Sequence, residues 1–141
     1  MTVTDEQLIA EIRSWVGTRW MHGQAVKGVG VDCIQFVVAV AKAAGWLPED
    51  FRTPAYNVDH AMHSDVSVLL EGLGQHCVKV PKADIQPGDI LAFRYGRCAS
   101  HVGFYVGNGR MVHSHIRHGV SEMLIQHLSD RLDSAWRFPR G

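Results

Sequence analysis

Cysteine is scarce in this chain of 141 residues, with Cys33, Cys77 and Cys98 as the full set. An odd count at irregular spacing excludes a disulfide framework and a paired-cysteine zinc motif. An excess of either charge is also missing. Fourteen basic residues balance fourteen acidic ones, so nothing points to nucleic acid or a membrane surface as partner. No apolar run approaches the roughly 20 residues of a membrane span, and no membrane insertion is expected. Met1 to Glu11 is polar and acidic, without the charged start and apolar run of a secretory signal. The expectation is synthesis in the cytoplasm, with something else carrying the protein if it acts elsewhere. Internal repeats and low-complexity segments are absent. Apolar and charged fractions of 46% and 20% are those of an ordinary globule, and the length suits one domain over residues 1–141.

What is present divides into helices first and strands after. Thr4 and Gln7 have capping-box spacing, and Leu8, Ile9, Ile12, Trp15 and Val16 share a helical face. A helix is predicted over 5–16, stopped by Gly17. Residues 18–31 read as a loop. A second helix runs from about Cys33 to Ala44, with Asp32 as N-cap and Gln35 completing a capping box. It is apolar nearly all round, which places it at the centre of a core. Residues 46–58 form an irregular connector, and a third helix is expected over 60–73 with Met62, Val66, Leu69, Leu70 and Leu73 inward. Beyond Gly74 the pattern is that of strands, punctuated by Gly and Asn: 90–95, 101–107, 110–116, 120–126 and 135–138, with a helical turn over 127–133. This order predicts an α+β fold, helices packed on one face of an antiparallel sheet.

Cys33 stands in the first turn of the apolar helix. Unpaired N–H groups and the positive end of the macrodipole favour thiolate there, so a buried bystander becomes a candidate nucleophile. His101 opens one strand, and His113 and His115 lie on the next. A helix-start cysteine, a strand-borne histidine as base and a polar neighbour that orients it form a papain-like set. Two other readings stand beside it: solvent-facing histidines, and a zinc site from Cys33, His101 and His113 or His115. No close-spaced ligand pair supports the zinc site.

Strand geometry restricts the set further. If Asn108-Gly109 alone were the loop between the two strands, His101 would pair with Ile116, and His113 and His115 would face the other side. The chemistry therefore needs an odd loop or a bulge. A three-residue loop sets His115 opposite His101 with His113 diagonal to it, and a five-residue loop sets His113 directly opposite. We favour His113 and the longer loop.

Four segments in order, GTRWMHG (17–23), GVDC (30–33), PGDILAF (87–93) and HVGFYVGNGRMVH (101–113), are similar to "GTPY-x-WGG", "G-x-DCSG", "GDLVFF" and "HVGIY-x-GNGxxIH". Those belong to the NlpC-type family of bacterial cell-wall cysteine peptidases, compact relatives of papain. The chain most resembles the branch of phage tails and gene-transfer agents, through Lys27 to Cys33 and Trp136 to Pro139. The resemblance implies a papain-like compact domain that hydrolyses peptide amides in peptidoglycan stem peptides, without metal or cofactor. It implies Cys33 as nucleophile, His101 as base and His113 as third member, with His115 as a substitute for it. The backbone N–H of Cys33 would hold the oxyanion, and Asp32 would act as a structural cap. It further implies phage-tail hub or tip proteins as partners and action at the cell wall from a virion or tail particle. The chain departs from the family at Ile34-Gln35, where Ser-Gly is usual, and at Trp20, where a tyrosine serves the oxyanion or substrate. These departures support an alternative: a structural tail-tip component with little activity. A third reading keeps the nucleophile but acts as an amidase or acyl transferase on another substrate.

Overall fold

A computed structural model describes residues 3–57 and 67–139. Helix α1 (Asp5–Arg13) starts at the expected capping box. The Thr4 side chain accepts from the Gln7 N–H, and the Gln7 side chain accepts from the Thr4 N–H. It ends three residues early, where Ser14 to Gly17 turn toward the sheet. Leu8 and Ile12 are buried as the spacing required, but Val16, beyond the helix, is exposed. The presumed loop after it contains a small antiparallel ribbon, β1 (Ala25–Val26) with β2 (Gly30–Val31).

Helix α2 (Cys33–Ala43) is the central helix, with Phe36, Val40 and Ala41 fully buried. Asp32 caps it by accepting from the Gln35 N–H. The reciprocal half of the expected box is not made, because the Gln35 side chain turns to the connector, to Thr53 and Tyr56. Helix α3 (Val68–His76) is capped by Ser67, which also donates to the Ala99 carbonyl at 2.6 Å. It passes through Gly74 instead of ending there. The expected start at 60 and the inward Met62 and Val66 lie outside the described residues.

Six antiparallel strands follow: β3 (Val78–Val80), β4 (Ile90–Arg94), β5 (Ala99–Gly107), β6 (Arg110–His115), β7 (Gly119–Leu124) and β8 (Leu132–Arg137). Their order across the sheet is β3-β8-β4-β5-β6-β7. β8 therefore returns the C-terminal part of the chain to the middle of the sheet, beside β4. Along β4, Ile90 and Ala92 join the core with α1, α2 and α3, while Leu91 and Phe93 join a second, smaller core with Met111 and Ala135. This two-sided burial explains why β4 reads as a continuous apolar run. The second core is closed by Ile125 and Leu128 from a 3-10 helix at 125–131, where a helical turn was expected. Among the described residues, no helix is long and apolar enough to cross a membrane.

Candidate active site

Three elements deliver the site. The start of α2 carries Cys33, β5 carries His101 and β6 carries His113. Ser114 ties β6 to the approach of α2 by donating to the Val31 carbonyl at 2.6 Å, two residues before the cysteine. The Cys33 sulfur approaches the carbonyl oxygen of Ser100 at 4.0 Å, and the Val102 amide also bears on it. The two strand residues that flank His101 thus both meet the sulfur. Cys33 and His101 line one cavity of about 230 Å³, together with Trp20, Asp32 and His115.

The histidine pair is direct. His101 Nε2 and His113 Nδ1 are 2.6 Å apart, with the rings edge to face. The register that allows this is the one expected of a three-residue loop, with His113 diagonal, and not that of the favoured five-residue loop, and a bulge supplies it. Asn108 and Gly109 form a two-residue turn with φ of 54° and 70°, and Gly107 pairs with Arg110. A bulge between Tyr105 and Gly107 then shifts the ladder, so that His113 lies opposite Gly103 rather than opposite His101. His113 reaches His101 diagonally, across a position with no side chain. A Cβ at Gly103 would lie 2.9 Å from His113 Cβ and 3.0 Å from the Val112 carbonyl oxygen.

His115 stays in the cavity wall. Its Nδ1 accepts from the Arg117 N–H, and its ring stacks on His118. It is not hydrogen-bonded to His101, so the polar partner of His101 is His113. A zinc site from these groups fits poorly. Two nitrogens on one tetrahedral zinc stand about 3.3 Å apart, whereas this pair shares a proton. Among the described residues, no three His, Cys, Asp or Glu side chains converge as a metal-holding set.

The electrostatics correct the expected thiolate. Burial pushes the Cys33 thiol up to about 12, and the negative charge of Asp32 pushes the same way. The amides of Val102, Ile34 and Cys33 pull it down, as a helix start should, but they are outweighed. Burial, then the neighbouring His113 and His115, lowers His101 to about 3. Burial and the neighbouring His115 and His118 lower His113 to about 4. At neutral pH the resting site therefore holds a neutral thiol and two neutral imidazoles.

Asp32 does more than cap. Its carboxylate is 2% exposed and accepts from the Gln35 N–H at 2.8 Å, the Gly23 N–H at 2.7 Å and the Tyr56 hydroxyl at 2.5 Å. His22 Nδ1 lies 3.8 Å from the same oxygen. Tyr56 and His22 were missed by sequence reasoning. Tyr56 sits in a connector without periodicity, and no pattern there points to a phenol in the site. Trp20 lies in the cavity wall, its ring 6.4 Å from that of His22.

Residues 15–137 match the model of the NlpC/P60 family. The chain belongs to the NlpC/P60 family. It is 33% identical over 115 residues to the gamma-D-glutamyl-L-lysine dipeptidyl-peptidase of Bacillus subtilis, covering 79% of this chain and 32% of that protein. It is also 33% identical over 108 residues to a "Probable endopeptidase" of Haemophilus influenzae, covering 75% of this chain and 56% of that one. Among solved structures, an NlpC/P60 family protein from Bacillus cereus superposes with a TM-score of 0.72 at 21% identity, over 98% of this chain and 41% of the other. The NlpC/P60 domain of the peptidoglycan hydrolase SagA gives 0.66 at 18% identity, over 96% of this chain and all of that domain. These structural likenesses establish the α+β NlpC/P60 fold expected from the sequence.

Proposed function

We propose that this chain is a cysteine peptidase that hydrolyses peptide amide bonds in peptidoglycan stem peptides. The observation that carries the proposal is the 2.6 Å bond between His101 and His113 at the cavity that also holds Cys33. Family membership and the named activities of the relatives support the reaction class.

In this reading Cys33 attacks as its proton leaves. His101 Nδ1 takes the thiol proton while the sulfur bonds to the scissile carbonyl carbon, and His113 accepts the Nε2–H of the resulting imidazolium. The oxyanion is held by the Cys33 backbone N–H at the helix start. His101 then protonates the departing amine, leaving an acyl-enzyme. A water molecule, deprotonated by His101, releases the acid and restores the thiol. Trp20 and His115 contribute to the wall that receives the substrate.

The resemblance of Lys27 to Cys33 and Trp136 to Pro139 to tail-associated relatives supports a narrower reading. The domain would be carried to the cell wall by a phage-tail or gene-transfer-agent particle, with hub or tip proteins as partners. One observation favours the alternative of a weakly active tail-tip component: burial holds Cys33 and His101 neutral. Muropeptide analysis of walls digested by wild-type protein and by Cys33→Ala separates the two. New peptide termini made by wild type alone support the peptidase. Identical digests from both leave the structural component as the better reading.

A further inference from the structure

The contacts of Tyr56 have a consistent direction. Gln35 Nε2 donates to the Tyr56 hydroxyl oxygen at 3.3 Å and to Thr53 Oγ1 at 3.0 Å, using both of its N–H groups. With its oxygen accepting from Gln35, the phenol delivers its own proton to Asp32 Oδ2 at 2.5 Å. Burial and Asp32 raise the phenol further above its ordinary value, so it remains a donor across the neutral range. Asp32 directly precedes Cys33, and its charge is one of the two causes that hold the thiol protonated.

We propose that Tyr56 is a positioning residue for the nucleophile: its hydroxyl proton, aimed by Gln35, offsets the Asp32 charge beside Cys33. The arrangement gives a function to a departure from the family pattern. Gln35 stands where glycine is usual, and its side chain reaches the connector and fastens Tyr56 to the start of α2. The other titratable groups around the cavity are His22, which faces Asp32, and Tyr95, His101 and His115 on the strand side. Of these only His22 is positioned against the carboxylate, and at 3.8 Å it is the most distant of the four partners.

The proposal rests on Cys33 as nucleophile. Its test reads thiol reactivity, so it can fail while the peptidase reading stands, and the reverse. Iodoacetamide labelling of Cys33 is followed by peptide mass spectrometry across neutral to alkaline pH, with Cys77 as internal reference. Tyr56→Phe removes the donor and keeps the ring. It is expected to slow Cys33 labelling about threefold at fixed pH, equivalent to moving the rate profile about half a unit upward, with Cys77 unchanged. Asp32→Asn keeps an N-cap side chain and removes the charge. In that background Tyr56→Phe is expected to have no further effect, the signature of action through Asp32. Equal slowing in both backgrounds, or none in either, overturns the proposal. Should Tyr56→Phe lose its cooperative melt, Gln35→Leu takes its place. It is expected to give a smaller slowing in the same direction, again abolished by Asp32→Asn, and absence of that slowing likewise overturns the proposal.

Discussion

A neutral imidazole acts as a base only if its proton sits on the nitrogen away from the nucleophile. His101 has one donor and one acceptor when neutral. If Nε2–H donates to His113 Nδ1, then Nδ1 of His101 is left free to take a proton. The proposed mechanism uses the 2.6 Å bond in that direction, with His113 Nδ1 as the acceptor. His113 is only 2% exposed and cannot easily turn away from His101. The proposed roles give a graded expectation. His101→Ala should reduce stem-peptide hydrolysis by about 10²–10⁴-fold, the usual worth of a general base. Cys33→Ala should abolish it, and the double variant should be no worse than Cys33→Ala, since the two groups act as one unit. His113→Ala should lower kcat while leaving KM near its original value, because it orients the base without bordering the substrate cavity. Initial rates on a purified muropeptide check all four variants. A KM effect without a kcat effect would remove His113 from the proposed role.

At the scale of elements, helix starts were legible, whereas the choice among the possible strand registers was not. Thr4, Asp32 and the apolar run after Cys33 announce their helices through local chemistry, so α1 and α2 begin where the sequence says. The partner strands are also legible from alternation and from Asn108-Gly109. That dipeptide forms the two-residue turn it favours, with both residues at positive φ. The bulge at Val106 is invisible to such reasoning, because it satisfies the turn locally and the histidine pair further along at once. A bulge was recognised as a way to save the site, but its place depends on packing across three strands. The thiol's ionisation was illegible for a similar reason. The helix start and the neighbouring Asp32 are both local, whereas the burial that chiefly outweighs the helix start is a tertiary fact. Gly103 carries a consequence of the diagonal pairing. Gly103→Ala would drive a methyl group into the His113 side chain and the Val112 carbonyl. The expected cost is about 1–3 kcal/mol of stability, as for overpacking elsewhere. Hydrolysis should fall further than the loss of folded protein explains, because His113 must move. Urea unfolding together with rates normalised to folded protein checks this. A stable Gly103→Ala protein of undiminished activity would mean that the diagonal contact is not needed.

For the whole molecule, a site of buried neutral histidines makes the fold sensitive to acid before its carboxylates are protonated. In the unfolded chain His101 and His113 take up protons near pH 6.5. In the folded protein burial lowers them to about 3 and about 4. Between these limits the unfolded state binds more protons, so stability must fall as pH falls. Their full contribution is present above pH 6.5. It declines steadily from there toward pH 4, and stops changing only once the folded-state values are passed. The opposite sign would require imidazolium forms stabilised by carboxylates, and the partners lowering both rings are other histidines. Glu122, lowered chiefly by its bond with Arg13, adds a loss in the same direction but only in the carboxylate range. The window from pH 6.5 to 5 therefore isolates the histidines. Urea midpoints measured at several pH values in that window should fall for the wild type as acid is added. His113→Asn removes one titrating group, so its midpoint should fall less steeply over the same window, whatever its absolute stability. If both proteins lose stability with the same slope, His113 is not held neutral by the fold. The resting state of two neutral imidazoles, on which the general-base mechanism depends, would then have to be abandoned.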